Sequence, residues 1–411
     1  MQRWLKFVKY LPEYGIQPVV YVPEQAAYPI IDEDLMKQVP QGITVISRPI
    51  KEPSQIFGGF LKKSVRSISA GIIPEKASQS VWQRFMIWIR GNLFIPDARI
   101  FWVKPSVSYL KSYIRAHQID MVITTGPPHS VHLIGLRLKE DLKIKWLADF
   151  RDPWTTIGYH KALFLSAWAK KQHNILEAKV LQLADQIIVT SKSTRDEFLH
   201  KTNQPIAVIT NGYDVATAQH VMLDKKFTIA HIGSLLSGRN PLVLWQVLCE
   251  MITEEPSFKD SFELHLAGAV STEVKKSIKN YKLDSYCVFH GYMTHDQAVN
   301  LQQKAQVLLL IEIDSADTKC ILPGKLFEYM VSGRPVLGIG PAGSDIEQIM
   351  QETEIGVYTD YAQKEVIKNT LTNWFRKYQA GKLFLNAKNT DFYSRKNLTG
   401  ILANVIKSHW V

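Results

Sequence analysis

The sequence predicts an α/β protein of two doubly wound domains, each an open parallel sheet with helices packed on it, and three observations carry the prediction. Apolar, strand-like runs alternate with amphipathic helical stretches along nearly the whole chain, as expected where parallel strands are joined by crossover helices. The 411 residues exceed the size at which one core keeps growing, so two domains of roughly 200 residues each are expected. Asn211-Gly212 is a tight-turn signal near the middle of the chain, and the composition changes after it.

The composition, 46% hydrophobic and 21% charged with no low-complexity tract or short repeat, is that of a folded protein able to bury ample cores. No apolar run approaches the ~18 residues needed to span a bilayer. The start, Met-Gln-Arg-Trp-Leu-Lys, lacks the hydrophobic centre of a signal peptide, so a cytoplasmic location is expected. Cys249, Cys287 and Cys320 are far apart and without CxxC spacing, which indicates neither a disulfide framework nor a zinc site. The net charge of +11 favours anionic partners: nucleotide sugars, an anionic membrane surface or nucleic acid. Nucleic acid ranks last because its usual motifs are missing and the basic residues are spread out, except around Lys62, Lys63 and Arg66.

The chain opens on a helix, with Trp4, Leu5, Phe7, Val8 and Leu11 at helical spacing, and Gly15 and Pro18 lead into a strand from Val19 to Val22. Ile43 to Ser47 reads as another strand. Residues Ile56 to Ile73 mix Phe57, Phe60, Leu61 and Val65 with the basic cluster, which suits either an interfacial helix or a solvated helix face. Trp82, Phe85, Met86, Trp88 and Ile89 continue the aromatic theme beside Arg84, Arg90 and Lys104; a membrane surface, an amphiphilic acceptor or a packed core each accounts for it. A helix from Tyr109 to Ala116 and a strand from Met121 to Thr124 precede the loop Gly126-Pro127-Pro128-His129-Ser130. The strand Lys145 to Ala148 then delivers Asp149-Phe150-Arg151-Asp152-Pro153-Trp154 at its carboxyl end, where open α/β sheets bind ligands. Two carboxylates around an arginine form either a structural ion-pair knot or a site. A helix from Leu176 to Ala184, a strand from Gln186 to Thr190, a Ser191-capped helix through Phe198 and a strand from Ala207 to Ile209 complete the first half.

In the second half, the strand Phe227 to Ile232 runs into Gly233, and the turn continues through Arg239 to a helix from Leu242 to Ile252. Phe262 to Ala267 and Val288 to Gly291 are the next strands, the latter leading to Tyr292-Met293-Thr294-His295. After the strand Val307 to Ile311, Pro323-Gly324 opens a short helix on which Leu326, Phe327 and Met330 share an apolar face, while Lys325 and Glu328 lie three apart and can reach one site. A helix start with unpaired N–H groups, a lysine and a glutamate one turn in suits a diphosphate and a ribose; an ordinary capped helix with solvated charges is the other reading. Val336 to Ile339 is the next buried strand.

The string Pro-Gly-Lys-Leu-Phe-Glu-Tyr-Met-Val-Ser-Gly-Arg-Pro-Val, from Pro323 to Val336, resembles the nucleotide-sugar motif of glycosyltransferase family 4, retaining enzymes of the GT-B fold with a Glu-x7-Glu pair at this helix. The Gly-Pro-Pro-His-Ser and Asp-Phe-Arg-Asp-Pro-Trp strings resemble a subset of that family from bacterial surface-polysaccharide pathways. The resemblance implies two Rossmann-like domains facing a cleft: 1–209 on the acceptor side, 210–390 on the donor side, and 391–411 as a helix crossing back to the first. Glu328 matches the second glutamate, which holds the donor ribose, while the first falls on Cys320. Arg239 fits the basic residue that holds the diphosphate beside Gly233, and His295 lies near where the donor base packs. Gly233, Arg239, Lys325, Leu326, Glu328, His129 and His295 are thus the expected substrate-binding residues, and Asp149, Arg151 and Asp152 the catalytic candidates. The family's first strand and Gly-Gly loop have no counterpart before the opening helix, which would leave an unpaired strand edge.

The implied activity is transfer of a sugar from a nucleoside diphosphate sugar to a hydroxyl of a saccharide or lipid-linked acceptor, with retention at the anomeric carbon. No metal and no cofactor are expected, since no Asp-x-Asp motif stands in the expected place and Arg239 and Lys325 are there to neutralise the leaving diphosphate. A GT-B sugar-nucleotide epimerase and an inactive nucleotide-sugar binder are the alternatives.

Overall fold

The computed structural model describes residues 2–24, 26, 37–52, 81–214 and 221–409. The chain divides into two compact units, Met1–Thr210 with Leu398–Val411, and Asn211–Asn397. The basic stretch from Ile56 to Ile73 lies outside the described residues. Helices of seven or more residues are numbered below.

The first unit carries α1 (Gln2–Tyr10), β1 (Val19–Glu24), β2 (Thr44–Pro49), α2 (Val81–Leu93) and α3 (Ile100–Ala116). These are followed by β3 (Met121–Gly126), α4 (Ser130–Leu142), β4 (Lys145–Phe150), α5 (Ala167–Leu183), β5 (Gln186–Val189), α6 (Lys192–Leu199) and β6 (Ile206–Val208). All pairings are parallel and form two sheets, β1-β2 and β3-β4-β5-β6. Among the described residues β1 pairs only with β2, and β3 only with β4.

The order follows from local chemistry. After Lys145, every residue of β4 is buried, as in a strand covered on both faces, and all but Asp149 are apolar. Trp146 packs so closely against α4 that a Cβ on Gly135 would lie 2.2 Å from its indole nitrogen, so no other residue fits at 135. Ser166 and Ser191 cap α5 and α6 through their side chains. Two helices begin earlier than their apolar periodicity suggests. α5 starts at the Ser166 cap instead of near Leu176. α3 starts at Ile100 instead of Tyr109 and carries Pro105 inside it, because buried Trp102 and Val107 pin the chain on both sides of the proline.

The second unit is a six-stranded, wholly parallel sheet of β7 (Phe227–Ile232), β8 (Phe262–Ala267), β9 (Cys287–Gly291), β10 (Val307–Ile311), β11 (Val336–Ile339) and β12 (Gly356–Thr359). Its order, β9-β8-β7-β10-β11-β12, is that of a dinucleotide-fold sheet, with the direction of winding reversing between β7 and β10. Its helices are α7 (Leu242–Glu254), α8 (Thr272–Asn280), α9 (His295–Lys304), α10 (Gly324–Met330), α11 (Asp345–Thr353) and α12 (Lys364–Gln379). Side chains on β10 alternate: Val307, Leu309 and Ile311 enter the core under α7 and α12, while Leu308 and Leu310 enter the one with α10 and α11. The last helix, α13 (Arg395–Lys407), has most of its length in the first unit. There Leu398, Leu402, Ala403 and Ile406 share a core with Phe7 and Leu11, and with Leu147, Ile188 and Ile209.

Among the described residues no helix is long and apolar enough to cross a membrane.

Candidate functional site

In the second unit, the winding reversal puts the carboxyl ends of β7 and β10 side by side, which is where open parallel sheets leave a crevice for ligands. Gly233 follows β7 at φ +128°, a conformation that side chains resist, and its N–H bonds the Ala267 carbonyl at 2.8 Å. The neighbouring turn presses against it: a Cβ on Gly268 would lie 2.6 Å from the Gly233 oxygen. A Cβ on Gly233 itself would meet the Lys325 amine at 3.9 Å, so the α10 lysine reaches the β7 loop. Arg239, from the turn Ser237–Arg239, points the same way and puts Nη2 3.7 Å from Oε2 of Glu312.

Glu312 directly follows β10 and is buried, with its N–H on the Ile339 carbonyl at 2.9 Å. Its Oε1 has no hydrogen-bond partner. Arg239 therefore faces this carboxylate, the Lys325 charge acts on it, and Gly233 lies beside the Lys325 amine. Burial pushes the Lys325 amine down to about 8, with the Glu312 charge acting against the shift and Arg239 adding to it. Burial raises the Glu312 carboxyl, opposed by Lys325 and Arg239. Beneath this group the Tyr329 hydroxyl accepts the Ile232 N–H at 3.0 Å and so ties α10 to the end of β7.

The remaining donor-side residues are arranged differently. Leu326 is fully buried, its side chain part of the core and its contribution to the helix one of packing. Glu328 accepts a hydrogen bond from Gln302 of α9 at 3.3 Å. His295 stands exposed on the first turn of α9, behind a Thr294–Gln297 capping box. Glu312 belongs to no recognisable sequence motif. A single polar residue immediately after an all-apolar strand, at a carboxyl end, is the signal that marks it.

In the first unit, the polar residues at and after the carboxyl end of β4 have distinct surroundings. Asp149 is wholly buried and pairs with Arg3 at 3.1 Å, while Trp4 Nε1 and Thr125 Oγ1 donate to it at 2.6 and 2.8 Å. Burial alone would raise its carboxyl, but the Arg3 charge and these hydrogen bonds hold it below the ordinary value. Asp149 is thus the tie that fastens α1 to the end of β4. The Arg151 guanidinium donates to the carbonyls of Gly126 and Pro127 and clamps the loop after β3. Asp152 has its carboxyl raised by burial, with Arg151 opposing and Asp149 adding to the rise. His129 stacks on Trp154 with ring centroids 4.7 Å apart and planes 2° from parallel, and neither ring nitrogen has a partner. Burial, then the neighbouring His132, holds His129 neutral, well below the usual imidazole range.

Two parallel α/β units, one of them with the dinucleotide-fold strand order and two basic side chains at its winding reversal, correspond to the GT-B fold. Residues 74–217 match the profile of Glycosyltransferase Family 4. The match lies almost wholly within the first unit, spans about a third of the chain, and marks a similarity to that family. Solved structures share its fold. A glycosyltransferase from Rickettsia africae is 15% identical with a TM-score of 0.59, covering 99% of this chain and 94% of the other. Anabaena HepE, solved with UDP and glucose, is 13% identical with a TM-score of 0.59, covering 99% and 95%. Sucrose-phosphate synthase from Thermosynechococcus elongatus is 14% identical with a TM-score of 0.53, covering 75% and 78%. No curated protein matches the chain in sequence.

Proposed function

We propose that the protein moves a sugar from a nucleoside diphosphate sugar to a hydroxyl of a saccharide or lipid-linked acceptor, with retention at the anomeric carbon, in the synthesis of a surface polysaccharide, lipopolysaccharide or glycolipid. The convergence of Gly233, Arg239 and Lys325 at the winding reversal of the second unit carries this reading. Two fixed cations beside a loop that admits close backbone approach suit a diphosphate, and the charge that builds on it as the glycosidic bond breaks is what such a pocket stabilises. Glu328, one turn from Lys325, holds the ribose; Leu326 sets the helix and His295 borders the base. The UDP and glucose bound by the similarly folded Anabaena protein support a donor of this class.

On the acceptor side, Asp152 is the carboxylate that meets the hydroxyl, with His129 lining the pocket and Asp149 and Arg151 fixing the loops around it. The reaction needs no cofactor or metal in this reading, since Arg239 and Lys325 supply the positive charge. The protein works in the cytoplasm, at the inner face of the membrane. Trp82 is 65% exposed and Phe101 50%, with Phe85 and Trp88 also open and Arg84 and Lys104 close by in sequence, which suits an anionic lipid surface.

Nucleoside diphosphate release from UDP-glucose, UDP-N-acetylglucosamine and GDP-mannose, measured with and without polysaccharide or lipid-linked acceptors, tests this. Acceptor-dependent release is expected. Release of an isomerised sugar without acceptor would instead indicate an epimerase, and binding without turnover an inactive binder.

A further inference from the structure

We infer that Glu312 is the counter-ion of the donor pocket, holding Arg239 and Lys325 in place while the pocket is empty and taking up a proton when a nucleoside diphosphate sugar displaces it from them. The inference rests on the donor site proposed above, and it assigns a positioning role to a residue outside the nucleotide-sugar motif.

The geometry carries it. Glu312 sits at the carboxyl end of the central strand β10, buried, with its Oε2 facing Arg239 and its Oε1 without a partner. The charges acting on it are those of Lys325 and Arg239, the two cations available to the diphosphate. The other titratable groups nearby are His231 of β7, which burial and then the Lys325 charge hold well below the usual imidazole range; Tyr329 of α10, Tyr358 of β12 and Tyr361, each a phenol that burial pushes above its ordinary range; and Asp314 and Glu347, whose charges both act on Tyr358. The Tyr361 hydroxyl bonds the Glu312 backbone carbonyl at 2.6 Å, and a Cβ on Gly340 would lie 3.1 Å from the Glu312 Cβ, so the backbone under the carboxylate is fixed. Two cations next to each other repel, and a buried carboxylate between them relieves that repulsion in the empty pocket. A diphosphate brings two negative charges into the same space. Once Arg239 and Lys325 turn to it, Glu312 is left buried, beside an anion and without its partners, a setting in which the neutral acid is favoured. One proton therefore passes from water to the Glu312 carboxylate for each donor bound.

Calorimetric titration of the whole protein with UDP-glucose and GDP-mannose, whose diphosphates do not titrate near neutrality, tests the inference between pH 6 and 7, below the value of about 8 to which burial lowers Lys325. Binding measured in two buffers of different ionisation enthalpy should show uptake of up to one proton per donor. Affinity should fall with rising pH, by up to about tenfold per unit. Glu312→Gln, which mimics the neutral acid, should abolish the uptake, flatten the pH profile and tighten binding at pH 7. Donor binding without proton uptake in the wild-type protein, a measurement that needs no variant, overturns the inference and leaves the donor site standing; so does weaker binding in a folded Glu312→Gln protein. Failure of both sugars to bind the wild-type protein overturns the donor site itself, and the inference with it.

Discussion

Lys325 and Arg239 are the residues on which donor binding depends most directly, because each offers a charge-assisted contact worth ~1.5–3 kcal/mol to a phosphate. Lys325→Ala and Arg239→Ala should each weaken nucleotide-sugar binding by about tenfold or more in titration calorimetry, with unfolding temperatures unchanged. A lysine held down to about 8 loses its charge as pH rises through that value, so wild-type affinity should drop further above pH 8. Lys325→Arg should remove that drop, since arginine stays charged. Glu328 makes a different prediction: Glu328→Gln should cost affinity for ribose nucleotides and little for their 2′-deoxy counterparts, and equal losses would return Glu328 to a purely structural bond with Gln302. Lys325 and Glu328 stand in one contiguous motif and Arg239 in the turn that follows a buried strand, which is why they can be picked out of the sequence. Glu312 cannot be found that way, because its place beside Arg239 and Lys325 depends on the winding reversal that juxtaposes β7 and β10.

Among the elements, the buried strands were the most legible. β10 and β11 begin and end where their apolar runs do, since a parallel strand covered on both faces has no polar alternation to blur it. The starts of α3 and α5 were not legible, because a proline and a sparse apolar pattern hid turns that tertiary packing holds. The Asp149 cluster shows the same limit. Two carboxylates around an arginine can be seen in sequence, but not that Arg3 and Trp4, some 146 residues away, complete the first of them. That tie predicts a stability effect. Asp149→Ala leaves Arg3 buried without its partner, at a cost of about 3–5 kcal/mol, and should lower the unfolding temperature by on the order of 10 °C. Because the Asp149 carboxyl is held below its ordinary value, its contribution is complete at neutral pH and is lost as pH falls through that lowered value, so the difference between wild type and variant should shrink in acid. An unfolding temperature that does not move at pH 7 would contradict the tie.

At the scale of the molecule, the protein has a GT-B fold whose first unit is completed by the other end of the chain. Leu402 of α13 is fully buried against α1 and the strands of that unit, so Leu402→Ala should cost about 2–5 kcal/mol in thermal or chemical unfolding. Nucleotide-sugar affinity should persist in the folded variant, because Gly233, Arg239, Lys325 and Glu328 all belong to residues 211–397. The sequence made the two-domain architecture visible through its strand and helix alternation. The separation of β1-β2 from β3-β4-β5-β6 was beyond it, since which strands pair is decided by packing across the unit and not by local pattern. The central claim is that the second unit grips the donor diphosphate, and a crystal structure of the protein with UDP-glucose tests it most directly. The account predicts diphosphate oxygens within hydrogen-bond distance of Lys325 Nζ and the Arg239 guanidinium, with the ribose at Glu328. A nucleotide bound elsewhere, with Arg239 still paired to Glu312, would contradict it.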